Sequence, residues 1–294
     1  MARTGDASGM GEPDFLCIGA MKAGTTWLQV NLGRHPGAWL SPLKELRFFS
    51  SAHLPGPHAD RDTAHRQGQV ARQLERLGDG PLPPARARLR DCLARMAEPP
   101  FDDDWYRAIW SARAPGQAAG DISPQYAVLP EAGIRHALAL NPALKVIALL
   151  REPVDRALSH MTMHAGPQPD AAAIRRILNG PRWGVYRAQS DYAAWLARWR
   201  DALPEGALHI ETMGRIKREP HAVLERICTA IGLPWLRHRF TTAEEPVLAS
   251  RADKARLAET LPEIRAALAA ELAAFAAAFP TLSAELEAET TRRG

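Results

Sequence analysis

An apolar run that stops at a glycine and gives way at once to helical spacing is the feature that most constrains this chain. Asp14-Phe-Leu-Cys-Ile-Gly19 has the length and character of a buried strand, and Thr25-Thr-Trp-Leu-Gln-Val-Asn-Leu32 then places Trp27, Leu28 and Leu32 at helical spacing. Together they predict a strand, a glycine loop and a helix. Further along, Leu144-Lys-Val-Ile-Ala-Leu-Leu150 is nearly continuous in apolar residues, as expected of a strand covered on both faces of a parallel sheet. Arg151-Glu-Pro-Val-Asp-Arg-Ala-Leu-Ser159 follows it, with Pro153 suited to the first turn of a helix. A third strand is expected at Ala207 to Glu211, then a helix from about Glu219 to Ile231 closed by Gly232 and Pro234. Strands alternating with helices predict the α/β class, as a P-loop-like fold with a central parallel sheet flanked by helices.

At 294 residues the chain has room for one large domain or two small ones, and we read a single domain over 1–294. Residues 51–100 differ in composition, with eight arginines against four acids between Arg61 and Arg95. They read as a helical insertion, or as a lid with a cationic lining on the acceptor side. Residues 252–290 read as a C-terminal helical region, whose apolar positions Leu257, Leu261, Ile264, Leu268, Leu272 and Phe275 predict a helix packed on the core. No window approaches the ~18 uninterrupted apolar residues of a membrane span, and Met1 to Glu12 lacks the apolar core of a signal peptide. The expectation is a cytoplasmic protein. Cys17, Cys92 and Cys228 are widely separated and odd in number, which excludes a disulfide framework and a CxxC metal site. A net charge of +4 is too mild to indicate nucleic acid and suits an anionic small molecule. No oligomeric state follows from the sequence.

Only five of the 37 cationic residues are lysine, so the position of each lysine asks for a reason. Lys22 stands in Gly19-Ala-Met-Lys22-Ala23-Gly24-Thr25-Thr26, between the first strand and its helix. Glycines there let backbone N–H groups close around an anion, and a helix N-terminus favours negative charge. A Walker A loop places lysine after its second glycine. Here Thr25 fills that place and Lys22 lies two residues before Gly24, so the loop is a phosphate cradle of altered pattern.

Lys22-Ala-Gly-Thr-Thr-Trp27 resembles the KxGTTW loop of the PAPS-dependent sulfotransferase superfamily. Arg151 with Ser159 eight residues on resembles that family's 3'-phosphate motif. Ser41-Pro-Leu-Lys-Glu-Leu-Arg-Phe-Phe49 is similar to the KE(x)xFF element of the branch that contains the glycosaminoglycan sulfotransferases and many bacterial homologues. The resemblance covers about 14–50 and 119–235. It implies transfer of a sulfuryl group from PAPS to an acceptor hydroxyl or amine by in-line displacement, with release of adenosine 3',5'-bisphosphate (PAP) and no metal. It implies that Lys22 contacts the bridging region of the phosphosulfate, that Ala23, Gly24, Thr25 and Thr26 hold the 5'-phosphate, and that Trp27 stacks on adenine. Arg151 and Ser159 would grip the 3'-phosphate, and Glu45 would be the general base.

Gly120-Asp-Ile-Ser-Pro-Gln-Tyr126 is similar to the family's GE(K)(S/T)PxY stretch near the acceptor cleft. Lys44, Asp121, Ser123, Tyr126 and His164 are therefore the acceptor-side candidates. Ile122 stands where the heparan-modifying enzymes carry lysine, which argues against a heparan-type acceptor and leaves a saccharide or other small molecule. The family's lysine-glycine-arginine cofactor loop has no clear counterpart, with Arg251 and Lys254 as the nearest candidates. A P-loop kinase or NTPase, requiring Mg²⁺ and a Walker lysine, and a non-catalytic nucleotide-binding module are the alternatives.

Overall fold

A computed structural model describes residues 11–54, 58–99, 101–245, 247 and 257–291. Its centre is a five-stranded sheet in the order β2-β3-β1-β4-β5, built from β1 Phe15–Gly19, β2 Ala38–Leu40, β3 Ala118–Ile122, β4 Lys145–Leu150 and β5 Leu208–Thr212. Every pairing is parallel. All five residues of β1 and the last five of β4 are buried, as a strand covered on both faces requires. The three strands expected from the sequence thus stand at β1, β4 and β5. The other two, β2 and β3, are short, and β3 reads Ala-Ala-Gly-Asp-Ile, with too few large apolar residues to announce a strand.

Small residues in β3 have a steric reason. Leu16 and Phe15 of β1 pair with Asp121 and Gly120, and the Phe15 ring lies over Gly120 so closely that a Cβ there would come within 2.1 Å of Cζ. Only glycine lets a phenylalanine cross the neighbouring strand at that point.

Helices cover both faces. α1 Thr25–Leu32 follows β1, with its bounds where the sequence predicts them. α2 Phe48–His53 precedes the helical hairpin α3 His58–Leu77 and α4 Pro84–Ala97, and α5 Asp103–Ser111 leads into β3. After β3 come a 3₁₀ turn at Pro124–Val128 and α6 Glu131–Leu140. α7 Pro153–His164 follows β4 and opens at the expected proline. α8 Ala171–Leu178, α9 Trp183–Ser190 and α10 Tyr192–Ala202 lie between α7 and β5, with α11 Met213–Arg218 and α12 Pro220–Ala230 after it.

The C-terminal stretch folds as Leu261–Ala267, Ala269–Ala278 and Pro280–Thr291, with a break at Leu268 where the single periodicity suggested continuity. All six apolar positions of the expected stripe still face inward: Phe275 joins the main core, and the other five pack with Val154, Leu158 and Tyr186 in a second cluster. Ion pairs from Arg187 to Glu271 and from Arg265 to Glu152 tie these helices to the body. The three cysteines are buried free thiols. Among the described residues no helix is long and apolar enough to cross a membrane.

Between the two clusters lies a buried polar layer. Arg156 and His160 are 0% and 2% exposed, with Arg156 Nη1 and His160 Nδ1 at 3.4 Å. Burial, reinforced by the Arg156, His164, Lys22 and Arg182 charges, pushes His160 down to about 2, so the folded protein holds it neutral.

Gly120→Ala should destabilise the fold by about 1–3 kcal/mol, the usual cost of overpacking, read as a lower denaturant midpoint at unchanged m-value. His160 binds a proton readily only when unfolded, so stability is lost as pH falls below about 6.5, by roughly 1.4 kcal/mol at pH 5.5 from this group alone. His160→Asn should flatten the stability-versus-pH slope by about half a proton at pH 6.5 and by about 0.9 proton at pH 5.5, and denaturant titrations at several pH values check this.

Candidate active site

In an open parallel sheet, ligands bind beyond the carboxyl ends of the strands, near the point where strand order reverses. Here the chain moves from β1 outward to β2 on one side and later to β4 and β5 on the other, so that point lies at β1. The glycine loop leaves β1, Arg151 follows β4, Ser123 follows β3 and the Ser41–Arg47 segment follows β2. Adjacent strand ends thus collect motifs that lie more than a hundred residues apart in the chain.

Lys22 and Gly24 both take left-handed backbone, at φ 70° and 102°. Gly24 caps α1 with no side-chain hydrogen bond, and no acidic residue lies in the first turn, which leaves N–H groups and a positive helix end for an anion. Ala23 and Thr25 are buried beneath the loop, and Gln189 Oε1 accepts the Met21 N–H at 3.5 Å. Burial, then the Arg151 and Lys44 charges, lower the Lys22 ammonium from its ordinary range, with Glu45 opposing them. Four groups from three strand ends therefore share one electrostatic environment. Lys44 Nζ donates to Thr26 Oγ1, joining the glycine loop to the segment after β2.

Arg151 is 6% exposed, reaches Lys22 O at 3.4 Å and pairs with Asp155 at 3.2 Å, yet its Nε has no hydrogen-bond partner among the described residues. Asp155 and Ser159 continue that line at four-residue spacing, one face of α7, and Ser159 is itself buried. Behind them Arg156 donates to Ser190 Oγ and Tyr186 O, at 2.9 and 2.7 Å, and burial lowers it to about 10. Its partners are neutral.

Glu45 sits in a tight turn, with Glu45 and Arg47 both at φ 58°. Its carboxylate lies 3.0 Å from Arg47 Nη2 and 3.8 Å from Lys44 Nζ. From the far side α3 holds the same segment, as Arg66 donates to Leu46 O and Gln73 to Pro42 O, at 3.3 and 2.8 Å. Phe48 and Phe49 are buried in the core, with Phe48 stacked on Tyr106 at 4.3 Å.

The other acceptor-side candidates divide. Asp121, Ser123 and Tyr126 are fully buried and bonded to one another. Asp121 accepts from Ser123 Oγ at 2.7 Å, from Tyr126 Oη at 2.7 Å and from Tyr106 Oη at 3.1 Å. Burial pushes its carboxyl up to about 6, against the pull of those donors. These residues form a polar knot under the Glu45 turn. His164 is exposed at the end of α7, with Nδ1 3.0 Å from Tyr186 Oη, and it senses the Lys22 charge. Trp27 is nearly buried, and its indole N–H donates to Ala243 O at 2.8 Å. That bond fixes the segment ahead of Arg251 and Lys254, which lie outside the described residues.

The sequence motifs do not include Arg156, Gln189 or Asp155. Asp155 is legible once Arg151 is singled out, since it lies one helical turn on. Arg156 and Gln189 carry no local signal, because their roles depend on how α7 and α9 face each other.

Among solved structures the chain resembles a sulfotransferase from Alicyclobacillus acidocaldarius, with a TM-score of 0.59 and 22% identity over 90% of this chain and 95% of that one. It also resembles the sulfotransferase domain of the Synechococcus PCC 7002 olefin synthase, with a TM-score of 0.51 and 18% identity over 84% and 80%. At these identities the likeness is one of fold. Heparan sulfate glucosamine 3-O-sulfotransferase 3B1 of Mus musculus is 28% identical over 158 residues, covering 49% of this chain and 40% of that protein. The human glucosamine 3-O-sulfotransferase 6 is 27% identical over 157 residues, covering 49% and 45%. The chain thus matches less than half the length of these curated relatives. A sequence profile described as the sulfotransferase family matches residues 13–237, a span that holds the glycine loop, the Glu45 turn, Arg151 and Ser159, and the chain belongs to that family.

Proposed function

We propose that the chain transfers a sulfuryl group from PAPS to an acceptor hydroxyl or amine and releases PAP. The observation that carries this reading is the concentration of cationic side chains at the ends of β1 and β4. Lys22 is half-buried beside Arg151, Arg151 carries a buried Nε unpartnered among the described residues, and Arg156 lies behind with neutral partners. Such charge calls for a polyanion, and a nucleotide with phosphates at both ends supplies one. The 5'-phosphosulfate fits the glycine loop, where Gly24, Thr25 and Thr26 open α1, and the 3'-phosphate fits Arg151 and Ser159. Trp27 would offer the adenine its ring edge or face near Ala243.

In the transfer step the acceptor oxygen or nitrogen forms a bond to sulfur as the bridging sulfur–oxygen bond breaks, with both electrons leaving on the phosphate oxygen of PAP. Lys22 and the loop N–H groups meet that growing charge, the role cations play in phosphoryl transfer. Glu45 takes the acceptor proton. The proposal includes a saccharide or small-molecule acceptor reached past Lys44 and His164, no nucleic-acid partner, a cytoplasmic location, and one domain in which residues 51–100 act as a lid. Support for the lid is the pair of bonds from Arg66 and Gln73 to the Glu45 segment.

The test is labelled PAPS with a panel of glucosamine oligosaccharides, a phenol and a long-chain alcohol, alongside calorimetry with PAP, AMP, ADP and ATP with and without Mg²⁺. A charge-assisted arginine bond and a serine bond in a shielded site are together worth roughly 2–4 kcal/mol, or on the order of 30-fold to 1,000-fold in affinity. PAP should bind tighter than AMP by that margin, and Arg151→Ala should shrink the margin while leaving AMP binding nearly unchanged. Equal affinity for PAP and AMP in the wild type removes the 3'-phosphate site, and tightest binding of ATP with Mg²⁺ turns the reading toward a kinase. Glu45→Gln should keep PAP affinity and lower transfer by roughly 10²-fold or more, the scale of a positioned general base. Transfer within a few-fold of wild type returns Glu45 to its ion pair with Arg47.

A further inference from the structure

The Glu45 turn is held from beneath by a hydroxyl group, and the direction of each of its hydrogen bonds is fixed by chemistry. Ser123 Oγ lies 2.7 Å from Asp121 Oδ1 and 3.2 Å from the Arg47 backbone nitrogen. A hydroxyl has one proton to give and lone pairs to accept with. The Arg47 N–H can only donate, so Ser123 accepts from Arg47 and gives its own proton to Asp121. Tyr126 also donates to Asp121, to Oδ2 at 2.7 Å. Arg47 caps α2 with a left-handed backbone and no side-chain hydrogen bond. The Arg47 N–H at the start of α2 is therefore satisfied by a hydroxyl that one buried carboxylate orients. Tyr106 Oη is the third donor to Asp121, at 3.1 Å, and it gives its proton to the carboxylate from α5 rather than from the side of the turn.

We propose that Asp121 is a positioning residue that acts through Ser123 to hold the left-handed turn at Arg47, and with it the placement of Glu45 and the Arg47 guanidinium beside it. This rests on the reading of Glu45 as the base. Left-handed backbone at the two non-glycine residues Glu45 and Arg47 is strained, so the turn persists only where its surroundings over-determine it. Asp121 supplies that restraint from the third strand end, while α3 supplies it from the opposite side through Leu46 and Pro42. The sequence resemblance placed Asp121 at the acceptor; its 0% exposure puts it one layer beneath.

The test compares Ser123→Ala with Tyr106→Phe in the full chain. Both remove one hydroxyl from the same carboxylate, and only the first removes a bond to the turn. Three readouts apply: hydrogen exchange at the Arg47 amide, PAP affinity, and kcat with whichever acceptor among the oligosaccharides, phenol and alcohol turns over fastest. Ser123→Ala should raise Arg47 exchange at least 10-fold and lower kcat at least 10-fold with PAP affinity unchanged, whereas Tyr106→Phe should move each by no more than about 3-fold. Equal effects of the two variants on Arg47 exchange and kcat overturn the proposal, because a role confined to stabilising the fold predicts them. Should Ser123→Ala not fold, Asp121→Asn reads the same relay at the Arg47 amide: faster exchange there than in Tyr106→Phe supports the relay, and equal exchange overturns it. A wild type that transfers sulfuryl groups to no acceptor defeats the proposed function alone, and the exchange data still decide the relay.

Discussion

Cationic groups withdrawn from water without a matching set of carboxylates are the constraint from which the rest of this structure follows. An isolated buried charge is costly unless it is paired and hydrogen-bonded. Arg156 meets that demand with Ser190 and Tyr186 O rather than with an acid, and Arg151 meets only part of it with Asp155. Burial, then the Arg151 and Lys44 charges, lower the Lys22 ammonium from its ordinary range. A bound anion of the kind proposed above would offset that electrostatic cost, and would couple ligand binding to the stability of the fold.

The parallel sheet makes that concentration of charge possible. Parallel strands point all their carboxyl ends the same way, so consecutive strands in space deliver distant parts of the chain to one edge. β1 and β4 are neighbours and bring Lys22 and Arg151 together across 129 positions. β3 lies on the other side of β1 and brings Asp121 beneath the loop that leaves β2. Gly120 matters to this placement, since the Phe15 ring fills the space its side chain would occupy, and Asp121 is the next residue.

The residues proposed for the donor half of the site stand in local motifs legible in the sequence, whereas the surroundings of those proposed for the acceptor half were not legible. A phosphate cradle is local: the strand, Gly19, Lys22, Gly24 and the helix start at Thr25 are contiguous, and the arginine with its serine is contiguous again. The left-handed angles at Lys22 and Gly24 are what such a loop requires. Glu45 was legible as a residue, but nothing near it in the sequence shows that Arg66, Gln73 and Ser123 hold its segment, because those contacts span 20 to 76 positions. Asp121 shows the limit most clearly. Its spacing next to Ser123 and Tyr126 marked it as important, yet spacing along a strand end cannot tell a side chain that faces a cleft from one that points into the core. β2 and β3 escaped notice for a related reason, since β2 is only three residues long and β3 is made mostly of small residues, so neither carries a readable apolar periodicity.

The pairing of Glu45 with Arg47 bears on how a general base could be kept in place and still be usable. Both side chains are about a quarter exposed, and ion pairs in contact with solvent are typically worth under about 1 kcal/mol. A hydrogen bond from an acceptor hydroxyl to a carboxylate is worth roughly 1.5–3 kcal/mol where water is excluded. An arriving acceptor can therefore take one carboxylate oxygen from Arg47 at little cost, while Lys44, 3.8 Å away and bonded to Thr26, keeps the carboxylate near the glycine loop. The rigid part of the arrangement is the backbone turn, fixed from β3 and α3, and the exchangeable part is the side-chain pair. On the proposed reading the orientation of the base is held by the buried Ser123 hydroxyl, and only the weak outer contact would give way when an acceptor binds.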